Sequence, residues 1–204
     1  MIAKHARKTL LSALVLCGLA GCGIDQGGVT NPPPPAAASG TLVVSGPIEA
    51  FGSVTVNDVK LETGSATVRV DGQPATEADL REGQVIRAIA DQEGAATTAL
   101  FIEFRKNLSG NIATLDPVVG SLTALGQTIV TGADTRFDIP GVTRVADLQV
   151  GARILVSGIP TPTGEIFATY IGPDDAAAPF EVTTLITAAD QPALSFDLGA
   201  QQVD

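Results

Sequence analysis

The chain repeats itself. Ser45-Gly46-Pro47-Ile48 returns as Ser109-Gly110-Asn111-Ile112, and Asp79-Leu80-Arg81-Glu82-Gly83 returns as Asp147-Leu148-Gln149-Val150-Gly151. Thr98-Ala99-Leu100-Phe101-Ile102 finds a third counterpart in Phe167-Ala168-Thr169-Tyr170-Ile171. The matches keep their order at a period of about 65–70 residues, and the offset widens stepwise, as loop insertions make it do. A unit of that length is too long for a solenoid rung and suits a small five- or six-stranded barrel or sandwich. The spacing places one unit at residues 41–107 and the next at 108–175.

Within each unit the local pattern is that of strands. From Thr41 onward, apolar and polar residues alternate in short runs broken by Gly, Asn and Asp. Val54-Thr55-Val56-Asn57-Asp58-Val59-Lys60-Leu61 predicts a hairpin, with Asn57-Asp58 supplying the positive φ angles of a tight turn. Ala66–Val70, closed by Asp71-Gly72, is a strand, as are Val85–Ala90 and Thr98–Phe104, each expected to run about five to seven residues. Only Thr76–Arg81 and Val142–Leu148 allow a helical turn. The expectation is all-β: tandem small β-barrel or sandwich domains. Leu80 and Leu148 are expected to plug the open ends, behind short turns capped by Asp79 and Asp147. Gly83 and Gly151 then take the backbone angle that leads into the next strand. Phe101 and Phe104 are separated by an odd number of residues, so one regular strand cannot place both in the core.

The first forty residues carry a different message. Lys4, Arg7 and Lys8 precede an almost wholly apolar Thr9–Leu16, and Leu19-Ala20-Gly21-Cys22 follows. This is a charged n-region, a short h-region and a small-residue cleavage site, so residues 1–21 read as a secretory signal. The ending resembles a bacterial lipobox, with Leu19, Ala20 and Gly21 as the cleavage motif and Cys22 as the residue that takes the lipid; an ordinary signal with a coincidental Cys is the other reading. The resemblance implies a chain anchored in the membrane through acylated Cys22, with two or three chains including a palmitate-type acyl group. Cleavage removes His5 and Cys17, so the mature chain has neither histidine nor a free thiol, and no internal disulfide. Gly23 stands where an Asp typically retains such proteins at the inner membrane, which favours the outer membrane facing the periplasm or surface. Residues 22–40 then form a linker, whose Asn31-Pro32-Pro33-Pro34-Pro35 favours an extended polyproline II spacer.

Three elements together resemble a known family: Gly-x-Ile/Val, the hairpin around Val56-Asn57-Asp58-Val59, and Asp-Leu-x-x-Gly-x-x-Val/Ile. The pattern is similar to the repeats of the domain of unknown function 5666 family, over about Gly40 to Pro173. Asp58 stands where that family more often has Gly, and the second hairpin uses Leu125-Gly126; both suit turns. The resemblance implies an exported protein or lipoprotein with tandem units behind a Pro-rich linker. It brings no catalytic residue.

Chemistry is sparse. With 22 Asp+Glu against 12 Lys+Arg, the chain has no basic face for nucleic acid. Removal of the only histidine leaves no Ser-His-Asp or Cys-His arrangement and no His or thiolate zinc site. No phosphate-cradling or nucleotide-binding motif occurs, and no cofactor is expected. The densest acidic places, Asp134-Thr135-Arg136-Phe137-Asp138 and Asp174-Asp175, lack the spacing of a calcium loop. Asp134 is expected to bond its own backbone in a local turn. The sequence therefore points to a non-catalytic binding or assembly module of the cell envelope, meeting another envelope protein or polymer. The alternative is a passive structural spacer, and a more distant one is a glycan-acting enzyme. An exposed apolar patch on the acidic surface would separate the first reading from the second.

Residues 180–204 begin a third copy. Thr184–Asp190 resembles Gly110–Asp116, and Leu198-Gly199-Ala200 follows as Leu125-Gly126-Gln127 does. No Asp-Leu-x-x-Gly element comes after it. Two strands cannot bury a core, so a truncated repeat is expected; the alternative is a terminal hairpin that seals an edge of the second unit.

Overall fold

The computed structural model describes residues 39–190, 195–199 and 201–203; the signal, Cys22 and most of the Pro-rich linker lie outside them. In the first half, β1 (Ser39–Pro47) leads into the hairpin of β2 (Val54–Val56) and β3 (Val59–Leu61). The hairpin of β4 (Thr67–Val70) and β5 (Gln73–Ala75) follows, then the long β6 (Val85–Glu93) and β7 (Ala96–Phe104). Both hairpins turn where expected: Asn57 and Asp58 have φ of 50° and 61°, and Asp71 and Gly72 have 49° and 77°. β6 pairs antiparallel with β1 and with β7, whereas β4 lies parallel to β7. The amide of Ala99 donates to the Glu62 carbonyl, which brings the end of β3 against β7 as well.

The second half runs through the same circuit with fewer breaks. It comprises β8 (Leu108–Asp116), β9 (Ser121–Ala124), β10 (Gln127–Phe137), β11 (Arg153–Pro160) and β12 (Ile166–Pro173). Strand neighbours follow the order β8, β9, β10, β12, β11 and return to β8, with the β10–β12 pair parallel. That is a closed five-stranded Greek-key barrel of the OB type. Its β9–β10 turn holds Leu125 at φ +47°, an angle a branched side chain adopts only under constraint. The constraint is visible: Leu125 packs on the core and lies beneath Gly110, where an added Cβ would come within 2.8 Å of it.

Alternation explains which residues face inward. Val44, Ile86, Ala88, Ala90, Ala99, Ile102 and Phe104 of the first half are buried together with the hairpin residues Val54, Val56 and Leu61. Leu108, Ile112, Leu122, Ile129, Ile154, Val156, Ile166 and Ile171 fill the second barrel. The interior of each is packed apolar core, each large side chain contributing about 1.5–3 kcal/mol by burial. Phe101 and Phe104 fall on opposite faces, as their spacing requires: Phe104 is buried and Phe101 is half-buried on the outer face. A bulge between Ile89 and Ala90 shifts the register of β6 on β7, and an equivalent bulge lies between Ser157 and Gly158.

The two 3-10 turns, Glu77–Asp79 and Val145–Asp147, sit where the sequence placed them. Thr76 donates its amide and hydroxyl to the Asp79 carboxylate at 2.9 and 2.8 Å, and Thr143 does the same to Asp147 at 3.0 Å each. Leu80 and Leu148, next in sequence, are buried. The backbone bond from the threonine, then its hydroxyl bond, holds each aspartate below the usual carboxylate range. A depressed folded-state pKa adds stability that is present above the ordinary aspartate value of 3.8 and is lost as the pH falls through the folded one. The Asp79→Asn, Asp147→Asn double variant is therefore expected to lose part of the acid sensitivity of unfolding below about pH 4. Urea midpoints measured across pH 2–7 check this; parallel wild-type and variant profiles would contradict it.

Two expectations need correction. The strands are not uniformly five to seven residues: β1, β6, β7 and β8 have nine and β10 has eleven, because β1, β6, β8 and β10 continue as exposed, polar-rich ends beyond the core and β7 pairs along the extended end of β6. The C-terminal segment holds more than a hairpin. β13 (Glu181–Val182) pairs with β8 at Ser109 and Leu108, and β14 (Ile186–Asp190), β15 (Ser195–Leu198) and β16 (Gln201–Val203) form a three-stranded sheet. Gln127 Nε2 donates to the Leu198 carbonyl at 2.7 Å, tying that sheet to the second barrel.

Candidate functional site

A group of polar contacts lies where the two halves meet. Residues 81–85, the base of the first half just after its 3-10 turn, press on the outer face of β10 and β12. Arg81 Nε lies 3.8 Å from the Asp138 carboxylate, which also accepts the Tyr170 hydroxyl at 2.9 Å. Arg136 lies 3.8 Å from Glu82, and the amide of Val85 donates to Ser157 Oγ at 2.9 Å. Gly83, at φ +87°, comes so close that an added Cβ would sit 2.6 Å from the Thr169 carbonyl. Arg81, Glu82, Arg136, Phe137, Asp138 and Tyr170 line a cavity of about 260 Å³ here. Burial, reinforced by the bond to Asp138, raises the Tyr170 phenol far above its usual value. The phenol thus stays a hydrogen-bond donor at any physiological pH. Through Asp138, Tyr170 of the second half and Arg81 of the first are tied together.

Two further ion clusters fasten chain segments. Lys106 Nζ is 2.8 Å from Asp71 and 3.1 Å from Glu181, linking the β4–β5 turn to β13. Burial alone would depress this ammonium, but its two carboxylate partners outweigh that and raise it. Arg153 Nε bonds Asp174 at 2.7 Å, while its terminal nitrogen donates to Ser109 Oγ and to the carbonyls of Ala178 and Pro179. Ser109 also donates to Asp174 at 2.5 Å, and the Arg153 guanidinium stacks 4.5 Å above the Phe180 ring.

The outer face of the first half is different in kind. Val43, Ile89, Phe101 and Thr67 lie side by side across β1, β6, β7 and β4. Val43 is 54% exposed and neighbouring Leu100 is 46% exposed, so an apolar stripe faces solvent on an acidic chain. OB-type barrels commonly bind ligands across their second and third strands, flanked by the loops between strands one and two and strands four and five. In the second barrel that region is partly occupied, because Gly199 packs against Gly164 and Gln201 approaches Gly126.

The residues singled out by sequence take these places. Asp79, Asp147, Leu80 and Leu148 serve the turns. Asp138 joins the contact between the halves, Asp174 pairs with Arg153, and Asp175 accepts the amide of Ala177. Asp134 is exposed and makes no turn bond. Thr135 holds that bend instead, its hydroxyl accepting from the Gly132 amide and donating to the Ala168 carbonyl. Cys22, Leu19, Ala20 and Gly21 lie outside the described residues. Among the described residues, no three acidic, histidine or cysteine side chains gather to hold a metal. The roles of Arg81, Lys106, Arg153 and Tyr170 went unread in the sequence. Each is an isolated polar or charged residue whose partner is distant in the chain.

Residues 109–172, which make up the second barrel, match the family model of a domain of unknown function, DUF5666. No curated protein and no solved structure matches the chain.

Proposed function

We propose that this chain is a lipid-anchored protein of the bacterial cell envelope, most consistent with the outer membrane, whose two barrels form a non-catalytic binding or assembly module. The observation that carries the binding role is the outer apolar row of Val43, Ile89, Phe101 and Leu100 on a strongly acidic chain, in which Val43 and Leu100 are exposed and Ile89 and Phe101 half-buried. A passive spacer has no use for such a surface, since exposed apolar area invites association. The anchoring rests on the basic n-region, the short apolar run and Leu19-Ala20-Gly21-Cys22. The reading of both halves as copies of one domain is supported by their common circuit, their matching bulges and their Thr–Asp turn bonds.

Two measurements test this. Detergent phase partitioning should place the wild type in the detergent phase and Cys22→Ser in the aqueous phase; aqueous partitioning of both would end the lipoprotein reading. In-cell cross-linking of the wild type should yield a higher-mass adduct that Val43→Glu removes without changing membrane partitioning. Absence of any adduct would favour the spacer.

A further inference from the structure

Each half has a base and a face, and inside the chain one base is already docked on one face. The base is the segment after the 3-10 turn: Arg81-Glu82-Gly83-Gln84-Val85 in the first half and Gln149-Val150-Gly151-Ala152-Arg153 in the second. The face is the outer row across the bulged strands: Arg136, Tyr170 and Ser157 in the second half, and Thr67, Phe101 and Ile89 in the first. Backbone bonding confirms that the positions correspond. The Gly83 amide donates to the Ile48 carbonyl and the Ile48 amide to Gln84, just as Gly151 donates to Ile112 and Ile112 to Ala152.

The base of the first half is occupied, and that of the second is open. Gly83 and Gly151 share φ angles of 87° and 85°, yet an added Cβ at Gly83 would strike Thr169 and Arg136, whereas at Gly151 it would meet nothing within 4 Å. Val150, the counterpart of Glu82, is 63% exposed. Beside it a cavity of about 310 Å³ opens between Ile139, Val142, Leu148, Gln149, Ala152 and Pro173. The C-terminal strands β14–β16 do not reach it and rest against Gly126, Gln127 and Gly164 instead. On the face of the first half, Val43 and Leu100 are exposed and Ile89 and Phe101 half-buried.

The open surfaces also match each other in chemistry. Where the occupied contact sets Glu82 against Arg136, the free pair is Val150 and Thr67. Where it sets Arg81 against Tyr170 and Asp138, the free positions are Gln149 opposite Phe101 and Arg69. The Glu82–Arg136 pair thus has an uncharged counterpart and the place of Asp138 is taken by Arg69, so a free base on a free face sets no carboxylate at the places of Glu82 and Asp138. Resting on the binding reading above, we infer that the partner of the apolar stripe is a second copy of this chain. The base of one molecule's second half docks on the face of the next molecule's first half. Such a contact is heterologous, so it leaves one base and one face free after every addition and builds an open row rather than a closed dimer.

Sedimentation of the full chain, with Cys17 and Cys22 replaced by Ser, tests this. The wild-type surface should give species that lengthen with concentration. Val150→Glu should weaken association about tenfold or more, and adding Thr67→Arg, which copies the Glu82–Arg136 pair, should restore it. A chain carrying only Val150→Glu, mixed with one carrying only Phe101→Glu, should stop at a one-to-one dimer, because each retains one intact surface. Thermal melts check that every variant is folded. A monomer at all concentrations up to about 100 μM, a species closing at dimer, or loss by Val150→Glu without rescue would each overturn the inference. If the purified chain is monomeric while the in-cell adduct persists, the stripe serves another partner: the inference falls and the binding reading stands. Absence of both removes both.

Discussion

Phe104→Ala is expected to lower the unfolding free energy by about 3–5 kcal/mol, the usual cost of emptying an aromatic site in a core that cannot collapse around it. Phe104 is 1% exposed and is the largest fully buried side chain described. It lies opposite Ile86 on one side and Val70 on the other, and its carbonyl accepts the amide of Asp71. The ladder of β7 therefore holds the site open after truncation. Phe104→Leu, which retains most of the volume, is expected to cost about 1–1.5 kcal/mol. Urea unfolding with an unchanged slope and a lowered midpoint is the readout. A loss below about 1 kcal/mol for the alanine variant would mean that β7 does not close this core.

Asp174→Ala should cost about as much, roughly 3–5 kcal/mol, for a different reason. The Arg153 and Asp174 side chains are only 14% and 6% exposed, so removing the carboxylate leaves a guanidinium desolvated among carbonyls and the Ser109 hydroxyl. The pair itself is worth less than its disruption. Combining Asp174→Ala with Arg153→Met should recover much of the loss, because the methionine stem fills space without stranding a charge. Recovery smaller than about 0.5 kcal/mol would show that Arg153 holds the 174–180 segment through its stacking on Phe180 and its carbonyl bonds.

These two sites differ in how visible they were beforehand. The Phe104 position follows from alternation along one strand, and the hairpins at Asn57-Asp58 and Asp71-Gly72 follow from local turn chemistry. The 3-10 turns, with Leu80 and Leu148 behind them, were legible for the same reason: all their determinants lie within a few residues. The Arg153–Asp174 pair and the Lys106 cluster were not, because their partners are brought together only by strand order. The parallel closing pairs were equally hidden, since alternation says which face a residue takes and nothing about its neighbouring strand. At the contact between the halves, Arg81 and Tyr170 look in sequence like ordinary surface residues. Their roles appear only once Asp138 is placed between them.

The parallel closing strands also govern how the chain reaches its native state. In each half the strand that completes the ring is the last to be made, and it must lie beside one formed before the intervening turn and strand: Ile129 against Ile166, and Thr67 against Phe101. Such pairing is far from local, so loop-closure entropy must be overcome before any contact of the ring repays it. Folding is accordingly expected on the slow, millisecond-to-second side of small-domain rates. During that interval the long strands β1, β6, β7 and β8 present unpaired edges, the condition under which one copy is apt to complete its ring with a strand from another.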